Sequence, residues 1–357
     1  MFAGMNTSRT RSFFHRAAVL VPRGITHPTG RTGSMPRVVL SLVLTSALSL
    51  GMVACGSDKP SPPTSHAGGS STSPDTFGTD ANEGQWPRTI RHARGETTVR
   101  HRPERVVVID GGELDVALAY GVTPVGIVTS SGGDIPSYLA DRMGAITTAG
   151  TWKEPNLEKI ASLRPDLIIG SALRVGELYD RLAQIAPTVL STRPGVAWKD
   201  DAHLFAQAMG REKEYKQVIG RYDDRVAALR GRIPVGETVS LVRFMGKEIR
   251  LYANGSFPGV ILKDLGVTRP AQENVPALKV NLSDENIDKV SGDRVLYSGY
   301  GDPGNAQLRK VVDGPLWGRV PAVGKGRAEK VSDDTWFLGL GPLGANRVLD
   351  DVEQLYK

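Results

Sequence analysis

Residues 212–232 read EKEYKQVIGRYDDRVAALRGR. Tyr215, Val218, Ile219, Tyr222, Val226 and Leu229 recur at steps of three and four, so apolar groups form one stripe of a helix and charges cover the remainder. Its 21 residues make about 30 Å of helix at 1.5 Å per residue. Ile233-Pro234 ends it, because proline lacks an amide proton and keeps the residue before it out of helical geometry. On either side of this rod the chain alternates short apolar runs with helical segments, and that arrangement decides the fold.

On the N-terminal side, Arg105-Val-Val-Val-Ile-Asp110 opens onto Gly111-Gly112 and a helical stretch over 113–120 that stops at Gly121. Helix 156–163 then leads into Leu167-Ile168-Ile169, and helix 177–186 into Thr188-Val189-Leu190. Beyond the rod, helix 259–265 again precedes a short strand. Such alternation predicts α/β layers with mostly parallel sheets. The two sides also echo each other. Tyr120-Gly121-Val122-Thr123 is matched by Leu265-Gly266-Val267-Thr268, and Glu158, Ile160, Asp166 and Ser171 have the spacing of Glu285, Ile287, Asp293 and Ser298. We therefore expect an α/β fold of two Rossmann-like lobes joined by a long rigid α-helix, with a ligand cleft between the lobes. The expected divisions are a leader 1–54, a flexible linker 55–88, an N-terminal lobe 89–211, the inter-lobe helix 212–233 and a C-terminal lobe 234–357. A stiff connection predicts a small rotation between the lobes.

The formal charge of +6 is concentrated at the N-terminus. Six of the 44 basic residues, Arg9, Arg11, Arg16, Arg23, Arg31 and Arg37, lie within 1–54, which holds no acid, so the rest of the chain balances 38 basic against 38 acidic residues. A neutral body offers no basic face for nucleic acid. Val38 to Ala54 reads VVLSLVLTSALSLGMVA, uncharged, preceded by Arg37 and followed by Cys55. A basic flank, a short apolar run and a small residue at its end make an export signal. Met52-Val53-Ala54-Cys55 resembles the box of bacterial lipoproteins, with Met52 where leucine is usual, and this implies that Cys55 becomes the lipidated first residue of the mature chain. Each buried acyl methylene contributes about 0.8 kcal/mol, so several chains anchor firmly. The charged preface 1–34 is long for such a signal, and we expect translation to start at Met35. Residues 56–84, with SPPTSHAGGSSTSPD at 61–75, bury too little apolar surface to fold and read as a tether.

Little in the body suits catalysis. Gly339-Leu-Gly341-Pro-Leu-Gly344 fits GxGxxG, but the ribose-binding acid that should follow some twenty residues later has no room before the end of the sequence, so it reads as a glycine turn before a terminal helix 343–356. Gly318 to Gly326 fails as a phosphate loop on spacing and on its last residue. No GxSxG elbow occurs, and the single cysteine, Cys55, is committed to lipid and leaves no partner for a disulfide or a cysteine-rich zinc site. His15, His27, His66, His92 and His101 precede the first strand of the body, which leaves His203 on a helix over 200–209, read as an ordinary surface or packing residue. A histidine metal site or a serine triad is not expected, and a lipid-anchored hydrolase is correspondingly disfavoured. Binding is the better reading. Trp152, Trp198, Trp317 and Trp336, with Tyr179, Tyr252 and Tyr300, fall at strand ends and loops, and Arg174 and Arg243 end or interrupt apolar strands. Arg243 in particular needs a partner, either an internal acid or ligand oxygens.

Glu154-Pro-Asn-Leu-Glu-Lys-Ile-Ala-Ser-Leu-Arg-Pro-Asp-Leu-Ile-Ile-Gly170 resembles the signature segment of the iron–siderophore substrate-binding proteins of ABC importers, the periplasmic-binding-protein class with a helical backbone between its lobes. RVVVIDGGELDVALAYGVTPVG at 105–126, PLWGRVPAVGKGRAEKV at 315–331 and VLDDVEQL at 348–355 agree with it. The resemblance implies a monomeric, non-catalytic protein with no cofactor of its own, lipid-anchored outside the cytoplasm of a Gram-positive cell. Iron would enter only within a ferric siderophore, held between the lobes and passed to a membrane permease. It further implies that carboxylates on each lobe pair with permease arginines: Glu158 on the first, and on the second, where Val260 occupies the expected position, Asp264 one turn away. The ligand-binding set it suggests is Arg174, Trp198, Arg243, Tyr252, Tyr300 and Trp336. One or two arginines with aromatic walls suit a neutral ferric trihydroxamate such as ferrioxamine better than a trianionic tris-catecholate. Haem or a cobalamin, which the same fold accommodates, is the alternative, with Tyr252 or Tyr300 as the axial ligand of haem.

Overall fold

The computed structural model describes residues 77–357 apart from 131, 134 and 145. The leader, Met35, Cys55 and most of the linker lie outside the described residues. The first sheet has six strands, in spatial order Glu154–Pro155, Thr147–Thr151, Gly126–Thr129, Val106–Ile109, Leu167–Ser171 and Thr188–Ser191. All pairings are parallel except that of the short edge strand Glu154–Pro155. Val106–Ile109 is buried throughout, as a central parallel strand covered on both faces must be. Val106 and Val108 enter one core while Val107 and Ile109 enter the other. Strand order reverses beside Val106–Ile109, and the helix Gly111–Ala119 starts at that switch point.

The second sheet corrects the expectation of mostly parallel pairing. Its order is Lys279–Leu282, Ile249–Tyr252, Val239–Phe244, Arg294–Gly299 and Ala328–Lys330; the first two pairings are antiparallel and the last two parallel. The reason is a tight turn. Met245-Gly246-Lys247-Glu248 closes on a bond from Met245 N to Glu248 O, and Gly246 has φ 90°, a conformation glycine adopts without strain. The two lobes still correspond where they echo in sequence. Ile160 and Ile287 are both fully buried. Asp166 accepts from Glu104 N and Arg105 N, and Asp293 from Thr238 N and Thr238 Oγ1, so each acid fixes the start of its lobe's first strand.

The helix predicted between the lobes spans Glu212–Arg230, ending two residues earlier than its expected limit, at Gly231. Val218 packs in the core of the first sheet, and Tyr222, Val226 and Leu229 in that of the second. A second connection was not foreseen. The C-terminal helix Pro342–Leu355 belongs to the second core, yet its Leu343 and Gly344 amides donate to the carboxylate of Asp115, on the helix Gly111–Ala119, at 2.8 and 2.7 Å. Asp115 is fully buried and also accepts from Tyr138 Oη at 2.7 Å. An anion at a helix N-terminus is favoured by the macrodipole. The glycine turn serves this junction: a Cβ at Gly341 would lie 2.6 Å from Asp115 Oδ1, and one at Gly344 2.9 Å from Tyr138 Oη. His203 is exposed and stacks on Tyr215, as expected of a surface residue.

Candidate functional site

Carboxyl ends of the central parallel strands of both sheets face one cavity of about 900 Å³. Ligands of α/β folds bind at such ends, where loops rather than ladders present polar groups. From the first sheet, Asp110 follows Val106–Ile109 and Arg174 follows Leu167–Ser171; from the second come Arg243, Arg250, Ser298, Tyr300 and Lys330. Asp333 and Asp334 line it from the first turn of the short helix Asp333–Phe337.

The arginines of this cavity come with acids attached. Arg174 Nε donates to Asp110 Oδ2 at 2.7 Å, and the guanidinium lies over the Trp152 ring at 4.7 Å. Asp110 Oδ1 accepts from Gly111 N, capping the helix. On the opposite wall Arg243 binds Asp333 in a fork, Nε to Oδ1 at 2.7 Å and Nη2 to Oδ2 at 2.6 Å. Its Nη1 donates to Tyr252 Oη, and Ser298 Oγ donates to Asp333. Arg243 is 4% exposed. Burial alone would lower its pKa, but Asp333 and Tyr252 outweigh burial and hold it above the ordinary value. Arg250 Nε donates to Glu248, which also takes Lys279. Lys330 is exposed and makes no ion pair among the described residues.

Of the residues singled out in the sequence, Arg174, Arg243 and Tyr300 line the cavity, with the Arg243 guanidinium 4.6 Å from the Tyr300 ring centre. Tyr252 stands behind Arg243 at 6% exposure. Trp198 and Trp336 do not line it. Trp198 is 1% exposed and packs edge-on against Tyr222 and Phe257; Trp336 is fully buried and donates from Nε1 to Asp351 at 2.7 Å. Both belong to the core that unites the inter-lobe and C-terminal helices. Asp110, Arg250, Lys330, Asp333 and Asp334 were missed. For Asp110 the signal was its place at the end of an all-apolar strand; for Asp333 it was the helix start Ser332-Asp333-Asp334, whose partner Arg243 lies 90 residues earlier.

The expected docking acids differ in setting. Glu158 is exposed in the first turn of Leu157–Ser162. The Asp264 carboxylate is engaged internally, by Tyr222 Oη at 2.8 Å and Lys199 Nζ at 2.9 Å. Among the described residues no group of three or more His, Cys, Asp or Glu could hold a metal ion.

A family model described as periplasmic binding protein matches residues 106–329. The probable siderophore-binding lipoprotein YfiY of Bacillus subtilis is 36% identical over 286 residues, 75% of this chain and 87% of that one. The Fe(3+)-citrate-binding protein YfmC of the same organism is 32% identical, covering 76% and 87%. Among solved structures, Staphylococcus aureus SirA complexed with staphyloferrin B superposes with a TM-score of 0.68 at 30% identity, covering 75% of this chain and 97% of that one.

Proposed function

Because the chain belongs to the periplasmic binding protein family, we propose that it captures a ferric siderophore in the cleft between its sheets and delivers it, without covalent chemistry, to an ABC importer permease. Relatives and structural neighbours named for siderophore or ferric-citrate binding support this reading. A lipid on Cys55 would hold the protein outside the cytoplasm, with the Ser/Pro/Gly segment as its tether.

One observation bears most on ligand class: all three cleft arginines already carry a carboxylate partner. Such a cavity offers N–H donors to oxygen but little net charge, so it suits a neutral ferric trihydroxamate and does not offset a trianionic tris-catecholate. Lys330, without an acid partner among the described residues, favours a second reading, a chelate bearing one or two carboxylates of its own. In the haem alternative Tyr252 is disfavoured as axial ligand because its hydroxyl is bound to Arg243, which leaves that role to Tyr300 in the cavity wall.

For docking, Glu158 on the first lobe is matched by its sequence echo Glu285, exposed in the turn Asp284–Lys289, and this pair replaces the pair with Asp264. Tryptophan fluorescence tests the ligand reading, since Trp152 lies in the cavity wall. Ferrioxamine is expected to quench emission saturably, and Trp152→Phe to remove most of that signal. Saturation by a tris-catecholate or haem with none by ferrioxamine would overturn the ligand class.

A further inference from the structure

Asp110 has φ 87° and ψ 164°, a region of backbone space essentially reserved for glycine. Gly111 and Gly112 follow it, yet the strained position itself carries an acid. The residue is 7% exposed and lies at the switch point of the first sheet, and its side chain turns one oxygen to the Gly111 amide and the other to Arg174 Nε. Arg174, one-quarter exposed in its side chain, makes no hydrogen bond through Nη1 or Nη2 among the described residues. Its outer donors thus face the cavity while its charge is already matched.

We infer that Asp110 is a specificity residue that sets the charge of the cleft. It cancels Arg174 without occupying the donors a chelate oxygen would use. Acceptor oxygens without net charge are admitted, and each negative charge on a ligand held by Arg174 also meets the Asp110 carboxylate behind it. The role rests on the siderophore reading above and adds to it the residue that excludes polyanionic chelates. Asp333 performs the matching service on the opposite wall, but there Arg243 is itself buried, so Asp110 is the position at which charge can be changed with least damage to the fold.

The test is the ratio of dissociation constants for a ferric tris-catecholate and ferrioxamine, measured by titration of the wild-type protein, Asp110→Asn and Asp110→Gly. Asparagine keeps the shape and glycine fits the backbone, and neither carries the charge. The ratio is expected to fall at least about tenfold in both variants, given the reach of an unscreened charge in a partly buried cleft. Added salt should narrow the wild-type preference, because screening weakens the same repulsion. An unchanged ratio in both variants, in a protein that binds ferrioxamine, overturns the role of Asp110 and leaves siderophore capture standing. So does a wild-type preference for the tris-catecholate. A wild-type protein that binds no ferric chelate sinks the capture reading and this inference together.

Discussion

Glu273→Leu should cost far more than its lost contacts suggest. Arg269 and Glu273 form an ion pair with side chains 2% and 0% exposed, Nη2 to Oε2 at 2.7 Å. Arg269 also donates to the carbonyls of Val239 and Tyr252, and Glu273 accepts from Ser240 Oγ at 2.6 Å, so the pair braces the two strands that carry Arg243 and Tyr252. Burial lowers the Arg269 pKa and raises that of Glu273, each against the pull of its partner. Desolvation therefore exceeds the attraction between them, and each charge is tolerable only while the other is present. Removing one leaves a buried unpaired ion, at about 3–5 kcal/mol. Removing both, as Arg269→Met with Glu273→Leu, leaves only unsatisfied hydrogen-bonding groups, at about 1 kcal/mol each. Either single variant should lose about 3–5 kcal/mol in urea unfolding, and the double variant no more than the worse single. Losses that simply add, or singles that cost less than about 1 kcal/mol, would refute the reasoning.

Four further outcomes follow from the same geometry. Trp336→Phe should lower the melting temperature, through the lost bond to Asp351, and leave ligand affinity unchanged; a fall in affinity would place the ring in the cleft after all. Arg174→Ala should weaken ferrioxamine binding about tenfold or more and also lower the melting temperature, because it leaves the largely buried Asp110 carboxylate without its ion partner; unchanged affinity would contradict the role given to Arg174. Burial, then Asp200, pushes the Asp201 carboxyl from 3.8 up to about 7, so its favourable contribution is complete below pH 3.8 and lost as pH rises through 7. Asp201→Asn should thus stabilise the protein at pH 8 and be near neutral at pH 3.5, and an equal effect at both would contradict that. The inter-lobe helix and the Asp115 junction together should hold the lobes nearly fixed, so that solution scattering shows no marked compaction on adding ligand.

How far the sequence carried the fold depended on whether a signal was local. The stripe over 212–232 and the run Val-Val-Val-Ile are local, and both elements formed where periodicity placed them. The echoed acids Asp166 and Asp293 proved to do the same work because the strand start they cap is the same in each lobe. Antiparallel pairing in the second sheet was hidden because helix–strand alternation speaks only for parallel neighbours, while Gly246 in the hairpin turn carried the contrary signal. Within the site, arginines could be singled out as charges in apolar strands, but their partners lie 64 and 90 residues away and only the tertiary structure joins them. Trp198 and Trp336 misled for a related reason. A tryptophan near the end of a helix, as Trp198 at the start of one and Trp336 at the finish of another, reads alike whether its ring faces a cleft or a core, and here both rings fill the core.

Native mass spectrometry of the protein mixed with equal amounts of ferrioxamine, a ferric citrate-type chelate, a ferric tris-catecholate and haem tests the central claim most directly. The account predicts a one-to-one ferric siderophore adduct, with ferrioxamine dominant. Protein that stays unliganded in this mixture, or that takes up haem alone, would contradict it.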